Sequence, residues 1–379
     1  MREIPLVFAF RMSGLLLSLT VAVVICKLRA EDVKRSKNPL PEGHNGIAAK
    51  YVGDKGIEKD KHVIFVEKFD AKSLDAVLKR WENVKNKSIM TFSSDVLESS
   101  NDKKSILLTH VGGKGTGGHL YRGLPPGFEK VYFRFYTKID PESYPIHHFV
   151  HFGGYNPPTR WPQGGAGVRP KGDDRFTIGV EPHGKRWVWD YYTYWMEMRG
   201  SPPRGKTWGN SFIRSEKLKV QRGKWTCLEV MVTLNQIGDS NGEMALWIDG
   251  KLVSRLGKGC PKGKWVYDKF IPEQGGPGIR WNDTKNGPER LKFPQGGAPF
   301  EGFRWRKDEQ LKLNFIWILL YITKAPKGHV SRVWFDNIVV AKQYIGPINP
   351  SVRKSDDEKG RRRKRPSGTG MPAAPEVEK

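Results

Sequence analysis

Residues 244–253 read Met-Ala-Leu-Trp-Ile-Asp-Gly-Lys-Leu-Val. Two short apolar runs flank Asp249-Gly250, and this dipeptide between strand-like segments is a strong hairpin signal, because both central positions of the favoured two-residue turn need positive φ. Working outward, segments of the same kind recur. Val131–Ile139 alternates cleanly, with Val131, Phe133, Phe135 and Ile139 in one set and Tyr132, Arg134, Tyr136 and Lys138 in the other. Period two marks a strand with two different faces. Val63–Phe69, Ile106–Val111, Phe149–Phe152, Phe176–Val180, Trp187–Met198 and Trp225–Leu234 read as further strands, and Leu311–Ile322 and Val330–Ala341 close the series. Loops rich in Gly and Pro separate them, notably 153–174, 199–210 and 271–304. Only Leu74–Trp81 carries a helical pattern. Many strands and long irregular connections predict an all-β fold, an antiparallel two-sheet β-sandwich (jelly roll) with long loops over residues 60–348. The lack of an alternating α/β order excludes a doubly wound sheet.

The ends differ from this middle. Residues 1–30 read as a signal peptide: Arg2 and Arg11 precede a nearly unbroken apolar run from Leu15 to Cys26, and Ala30 is a small residue suited to cleavage. That run is too short for a comfortable membrane span. Secretion or a periplasmic location is therefore expected, with no stable membrane insertion once the leader is removed. Residues 31–59 are polar and contain Pro39, Pro41 and several Gly, which reads as a linker. Residues 349–379 include the basic run Arg361–Arg365 among Pro, Gly, Ser and Ala, a composition that cannot bury enough apolar surface to fold.

The 379 residues hold 65 Lys and Arg against 40 Asp and Glu, a formal charge of +25. Residues 31–350 keep 52 basic against 34 acidic residues, so the surplus belongs to the folded part. Such a field attracts polyanions and speeds their encounter. An exported sandwich makes an acidic polysaccharide the expected partner and nucleic acid an unexpected one. A monomer is expected. Beyond Cys26 of the leader, Cys227 and Cys260 are present; one disulfide suits an oxidising compartment, and two unpaired thiols fit equally well.

Three segments carry a resemblance. Residues 223–232, Gly-Lys-Trp-Thr-Cys-Leu-Glu-Val-Met-Val, resemble the strand opening the second half of concanavalin A-like and laminin-G-like jelly rolls. The 244–253 hairpin looks like a feature of the same fold. Residues 333–341, Val-Trp-Phe-Asp-Asn-Ile-Val-Val-Ala, followed by Tyr344-Ile-Gly-Pro, are similar to the closing strand of secreted polysaccharide-lyase-like jelly rolls. The resemblance implies two curved sheets, the concave one forming a sugar-binding groove, in a superfamily of lectins, glucanases and polysaccharide lyases. Related jelly rolls can hold a structural calcium near the first and last strands, where Glu67 or Asp70 with Asp336 offer hard oxygen ligands, and a backbone-capping role fits these side chains equally well. No other cofactor is required.

Function has to come from the site. Retaining glucanases of this fold carry Glu-x-Asp-x-Glu on one strand, or the same with one more residue inserted, and neither pattern occurs in this chain. A lyase needs a group to neutralise a uronate carboxylate, a base for the C5 proton and an acid for the leaving oxygen, tasks for Arg or Asn, for His, and for Tyr. The catalytic candidates are Arg134, His147, His151, Tyr192, Tyr194 and Asn314. His147 and His151 lie four apart and share a face of an extended strand, with His148 pointing the other way. Tyr132, Tyr136 and Lys138 beside Arg134, and Tyr155, Arg160, Trp161 and Arg169 from the 153–174 loop, are the substrate-binding candidates, with Trp208, Asn210, Trp281 and Trp305 as further groove walls. A lectin-like module without catalysis is the rival reading. Both require Arg134 and the Tyr192 strand to meet in one trough.

Overall fold

The computed structural model describes residues 39–200, 207–273, 279–280, 289–290 and 297–350. The expected leader, the tail beyond Pro350, and Trp281 lie outside the described residues. The chain divides into two compact units, Met1–Pro41 and Glu42–Lys379, and every strand belongs to the second.

In chain order the strands are β1 (Val63–Glu67), β2 (Asn83–Lys85), β3 (Met90–Ser93), β4 (Ser105–Val111), β5 (Gly117–Phe128), β6 (Lys130–Ile139) and β7 (His148–Tyr155). Then come β8 (Arg175–Pro182), β9 (Trp189–Tyr194), β10 (Thr226–Thr233), β11 (Glu243–Ile248), β12 (Lys251–Leu256), β13 (Lys262–Val266) and β14 (Lys269–Pro272). The short β15 (Ile279–Arg280), β16 (Glu289–Arg290) and β17 (Ala298–Pro299) precede the long β18 (Leu313–Tyr321) and β19 (Val330–Ala341). The helical pattern becomes α1 (Leu74–Leu78), capped by the Ser73 hydroxyl accepting from the Ala76 N–H. Among the described residues no helix is long and apolar enough to cross a membrane.

Two antiparallel sheets carry the fold. One is ordered β12-β11-β10-β6-β19-β4-β3, with β1 also on β19; the other is β2-β5-β18-β7-β8-β9. The Asp249-Gly250 turn forms as expected, with φ of 50° and 77°. Alternation decides what enters the core. Val131, Phe133 and Phe135 of β6 and Val333, Phe335 and Val340 of β19 meet Phe149, Phe152, Ile316 and Ile318 of the other sheet in one apolar cluster. Phe133 and Phe152 touch across the layers with ring centroids 5.7 Å apart, and Phe149 and Phe335 at 5.2 Å.

The same alternation sends Arg134, Tyr132, Tyr136 and Lys138 to the far side of the larger sheet. Residues 42–59, expected as a linker, fold there instead. Ile47, Ala48 and Ile57 are buried, and the backbone N–H groups of Ile47, Ala48 and Gly53 donate to the carbonyls of Tyr344, Ile345 and Asn349. Gly46 lies so close to this closing segment that a Cβ would stand 2.3 Å from the Ile345 oxygen. The segment delivers Asp54 to Arg134, both fully buried, and the guanidinium also donates to the Gly346 carbonyl at 2.9 Å. Burial disfavours the charge on Arg134, but Asp54 overcomes this and holds its pKa above the ordinary value. Neither charge can return to water without unpacking the strap. Asp54→Ala should lower the free energy of unfolding by about 3–5 kcal/mol, since it strands a buried cation. Adding Arg134→Met should recover most of that loss in chemical denaturation; equal loss in single and double variants would show the pair to be immaterial.

Candidate active site

The outer face of the six-stranded sheet is the other surface left by the core. One row of partners crosses it: Asn83, Tyr121, Trp317, His151, Gly179 and Tyr192 are neighbours in register from β2 through β5, β18, β7 and β8 to β9. Gly179 leaves a gap in the row. A Cβ there would lie 2.7 Å from His151 Nε2, so only glycine lets that ring lean across β8. His151 uses the gap to reach Glu181 Oε1 at 3.0 Å, and His148 Nδ1 reaches the same oxygen at 2.8 Å.

His148 shares this face because β7 does not alternate at its start. Phe149 and Val150 both enter the core, and the register against β18 shifts between Ile318 and Tyr321. His148, rather than His147, is thereby the partner of His151. His147 is exposed at the rim, its ring 4.3 Å from that of His148 and 5.6 Å from that of Tyr321. The Tyr192 ring stands 4.9 Å from His148 and 6.5 Å from His151. Its hydroxyl lies 3.3 Å from that of Tyr194, which accepts the Gly167 N–H at 3.1 Å. That contact ties the 156–174 loop to the site. Trp161 and Trp208, 57% and 38% exposed, stand on the bordering segments, and Arg160 and Arg169 are exposed on the same loop.

Burial sets the protonation states. It would raise the Glu181 carboxyl, but the hydrogen bonds from His148 and His151 bring it down to about 2, so the site holds a carboxylate. Burial pushes His151 below the ordinary imidazole range, against the pull of Glu181. His147 is lowered by burial and by His148 beside it. Tyr192 is pushed well above the ordinary phenol value by burial and by the neighbouring Tyr194. At neutral pH, this face therefore presents neutral His147 and His151 and a protonated Tyr192.

Several expected site residues lie elsewhere. Arg134 is bound to Asp54 on the opposite side of the sandwich, so the trough joining it to the Tyr192 strand does not form. Tyr132 packs on Trp247 and Tyr344, the Tyr136 hydroxyl accepts the Ile348 N–H, and Lys138 pairs with Asp95, all on that same remote face. Asn314 has a local role: its side chain bonds both the N–H and the carbonyl of Tyr155 where pairing of β18 lapses between Leu313 and Phe315. Tyr155 faces the site's sheet surface but is buried, stacked 4.5 Å from Phe315, and its hydroxyl accepts the Gln163 N–H to anchor the loop. Asn210 and Trp305 are buried too, Asn210 bonding the Trp195 indole and Trp305 donating to the Thr233 carbonyl. Cys227 and Cys260 are free thiols, one buried in β10 and one exposed. Glu181 went unread because it closes an ordinary apolar strand; an acid two residues past Gly179 was the available signal.

The expected calcium ligands fall at a bulge of β19. Asn337 there has φ of 47°, a left-handed conformation that Asn tolerates, and β19 exchanges β4 for β1 as its neighbour. The Glu67 oxygens accept from Arg80 and the Phe69 N–H. Asp336 Oδ2 and Asn337 Oδ1 are buried acceptors with no hydrogen-bond partner among the described residues. Ser100 donates to Asp102 at 2.5 Å and accepts from the Asn337 amide. Burial, with the Asp70 carboxylate beside it, raises Asp102 to about 7, and burial with Asp102 lifts Asp336 well above the carboxylate range. An all-oxygen set with orphaned buried acceptors and crowded carboxyl groups fits a hard cation.

No protein-family model matches the chain, and no curated protein matches it significantly. Among solved structures, alginate lyase Aly36B aligns at a TM-score of 0.46 and 11% identity, covering 75% of this chain and 98% of that one. The marine alginate lyase from Aplysia kurodai aligns at 0.45 and 11%, covering 74% and 99%. The endo-β-1,4-glucuronan lyase from the fungus Trichoderma reesei aligns at 0.39 and 15%, covering 74% and 96%. The chemistry open to this chain follows from its own side chains.

At the other end of the row, burial depresses His119 to about 4, and its Nε2 lies 2.7 Å from Asn83 Oδ1. A depressed base keeps its full contribution to stability above its unfolded value of 6.5 and loses it as pH falls toward 4. Melting curves of wild type and His119→Gln should therefore converge between pH 6.5 and 4. Parallel curves across that window would refute the assignment.

Proposed function

We propose that this face binds an acidic polysaccharide and cleaves it by β-elimination across a uronic acid. The observation carrying the reading is the clustering of His148, His151, Glu181 and Tyr192 on the outer face of the six-stranded sheet, with His147 exposed beside His148. The basic surplus of the chain and the exposed Arg160, Trp161 and Arg169 support a polyanionic substrate, with rings to stack on sugars and guanidinium groups to pair with carboxylates. His147, neutral and exposed, takes the C5 proton. The electrons of that C–H bond form the C4–C5 double bond, and the C4–O bond breaks toward the leaving oxygen. That oxygen takes the phenolic proton of Tyr192, and the proton on His147 returns to the phenolate through solvent. Tyr194, fixed by Gly167, positions the Tyr192 hydroxyl. Arg134 has no part in this scheme: the trough expected to join it to the Tyr192 strand does not form, and the lyase and lectin readings rest instead on the histidine face of the six-stranded sheet alone.

A lectin-like module is the second reading. It is favoured by the way the two imidazoles and Glu181 satisfy one another without a substrate, and it predicts glycan binding that survives loss of every histidine. Incubation with alginate, glucuronan and glycosaminoglycans separates the two through ultraviolet absorbance of the unsaturated product. Tyr192→Phe should reduce turnover by about 10²–10⁴-fold while KM changes little. Absence of unsaturated product from every polyuronate would end the lyase reading.

We further propose that Asp102, Asp336 and Asn337, with Asp70 at the margin, hold a structural calcium at the β19 bulge. The ion would neutralise clustered carboxylates where β1 and β4 meet β19. At a hundredfold excess over Kd, calcium should add about 2.7 kcal/mol to stability, seen as a rise in Tm of several degrees. Asp336→Asn should abolish that rise; a melting curve indifferent to calcium and to chelator would refute the site.

A further inference from the structure

The trio at the centre of the proposed active face has a feature that elimination alone leaves unexplained. Glu181 is buried and ionised, yet its only ion-pair partners among the described residues are two histidines. A carboxylate with no other ion-pair partner among the described residues is costly to bury and repels the carboxylate of a uronate. The donor atoms His148 Nδ1, His151 Nε2 and a Glu181 carboxylate oxygen all lie within 4.8 Å of one another. A tetrahedral ion with bonds of about 2.0–2.1 Å separates its ligands by roughly 3.3 Å, so the two nitrogen–oxygen gaps need to open only slightly. Two imidazoles and one carboxylate are a donor set suited to zinc, leaving a further coordination position for water or substrate. Gly179 provides the space that lets His151 reach this point.

We propose that His148, His151 and Glu181 form a three-ligand site for a divalent transition metal, zinc by its donor set. Each imidazole presents its lone pair to the ion by moving its proton to the other ring nitrogen. The site stands on this geometry; its role rests on the lyase reading, where the cation would lie beside Tyr192 and His147 and neutralise the substrate carboxylate.

The full-length chain, stripped with chelator and returned to calcium-containing buffer to fill the oxygen-ligated site, is titrated with Zn²⁺ by calorimetry and with Co²⁺ by visible absorption. One equivalent of each should bind, Co²⁺ with the ligand-field bands of a low-coordinate nitrogen–oxygen site. His148→Ala and Glu181→Gln should each weaken Zn²⁺ binding by at least about 100-fold, and His119→Gln should leave it unchanged. Absence of such bands from the wild-type chain, which needs no variant to fold, overturns the site; so does undiminished affinity in both ligand variants. A chelated chain that still cleaves polyuronate at full rate keeps the lyase reading and overturns the metal's role. A chain that binds one Co²⁺ through these residues and cleaves no polyuronate keeps the site and overturns the lyase reading.

Discussion

Two sheets share one apolar interior, and this burial governs where chemistry can occur. Each central strand gives one side to the shared core, so its polar side chains emerge on the other. The outer faces of the two sheets look away from each other across layers about 10 Å apart. Outward-facing residues of β6, such as Arg134, cannot converge with the outward-facing Tyr192 of β9, whatever their types. The 42–59 strap and the 344–349 segment bury Arg134, Tyr132 and Tyr136 on one face, whereas the six-stranded sheet presents its histidines and Tyr192 together on the other.

Much of this was legible in the sequence. The hairpin at Asp249-Gly250, the alternation of β6 and the runs of β4, β18 and β19 follow from turn chemistry and period two. Which faces pair across the core does not, because alternation separates two sets of side chains without saying which neighbouring strand lies beside them. Arg134 looked like a groove cation for that reason. Its true partner, Asp54, sits in a polar Pro/Gly stretch where only Ile47, Ala48 and Ile57 betray a packed segment. His148 was lost to the assumption of strict alternation, which fails where Phe149 and Val150 both turn inward.

Charge is arranged differently on the two faces. Behind the eight-stranded sheet, Arg134 and Asp54 cancel inside a sealed layer, and Glu229 accepts the N–H groups of Ile345 and Gly346. Across the molecule, the ion-pair partners of Glu181 among the described residues are the imidazoles of His148 and His151. The first arrangement holds the architecture; the second leaves a sheet face whose electrostatics a cation or a substrate can reset.

The strap has a temporal consequence. Residues near 46–54 bond to residues 344–349, nearly three hundred positions later, and Arg134 contacts both. Contacts of such separation form slowly. On a ribosome the early strands wait, with the Arg134 side of β6 uncovered, until the last strand has emerged. Nascent chains of this protein thus carry an unfinished, charge-bearing layer through most of their synthesis, a natural foothold for a chaperone and a point where truncation near the C-terminus would be felt at the opposite end of the sequence.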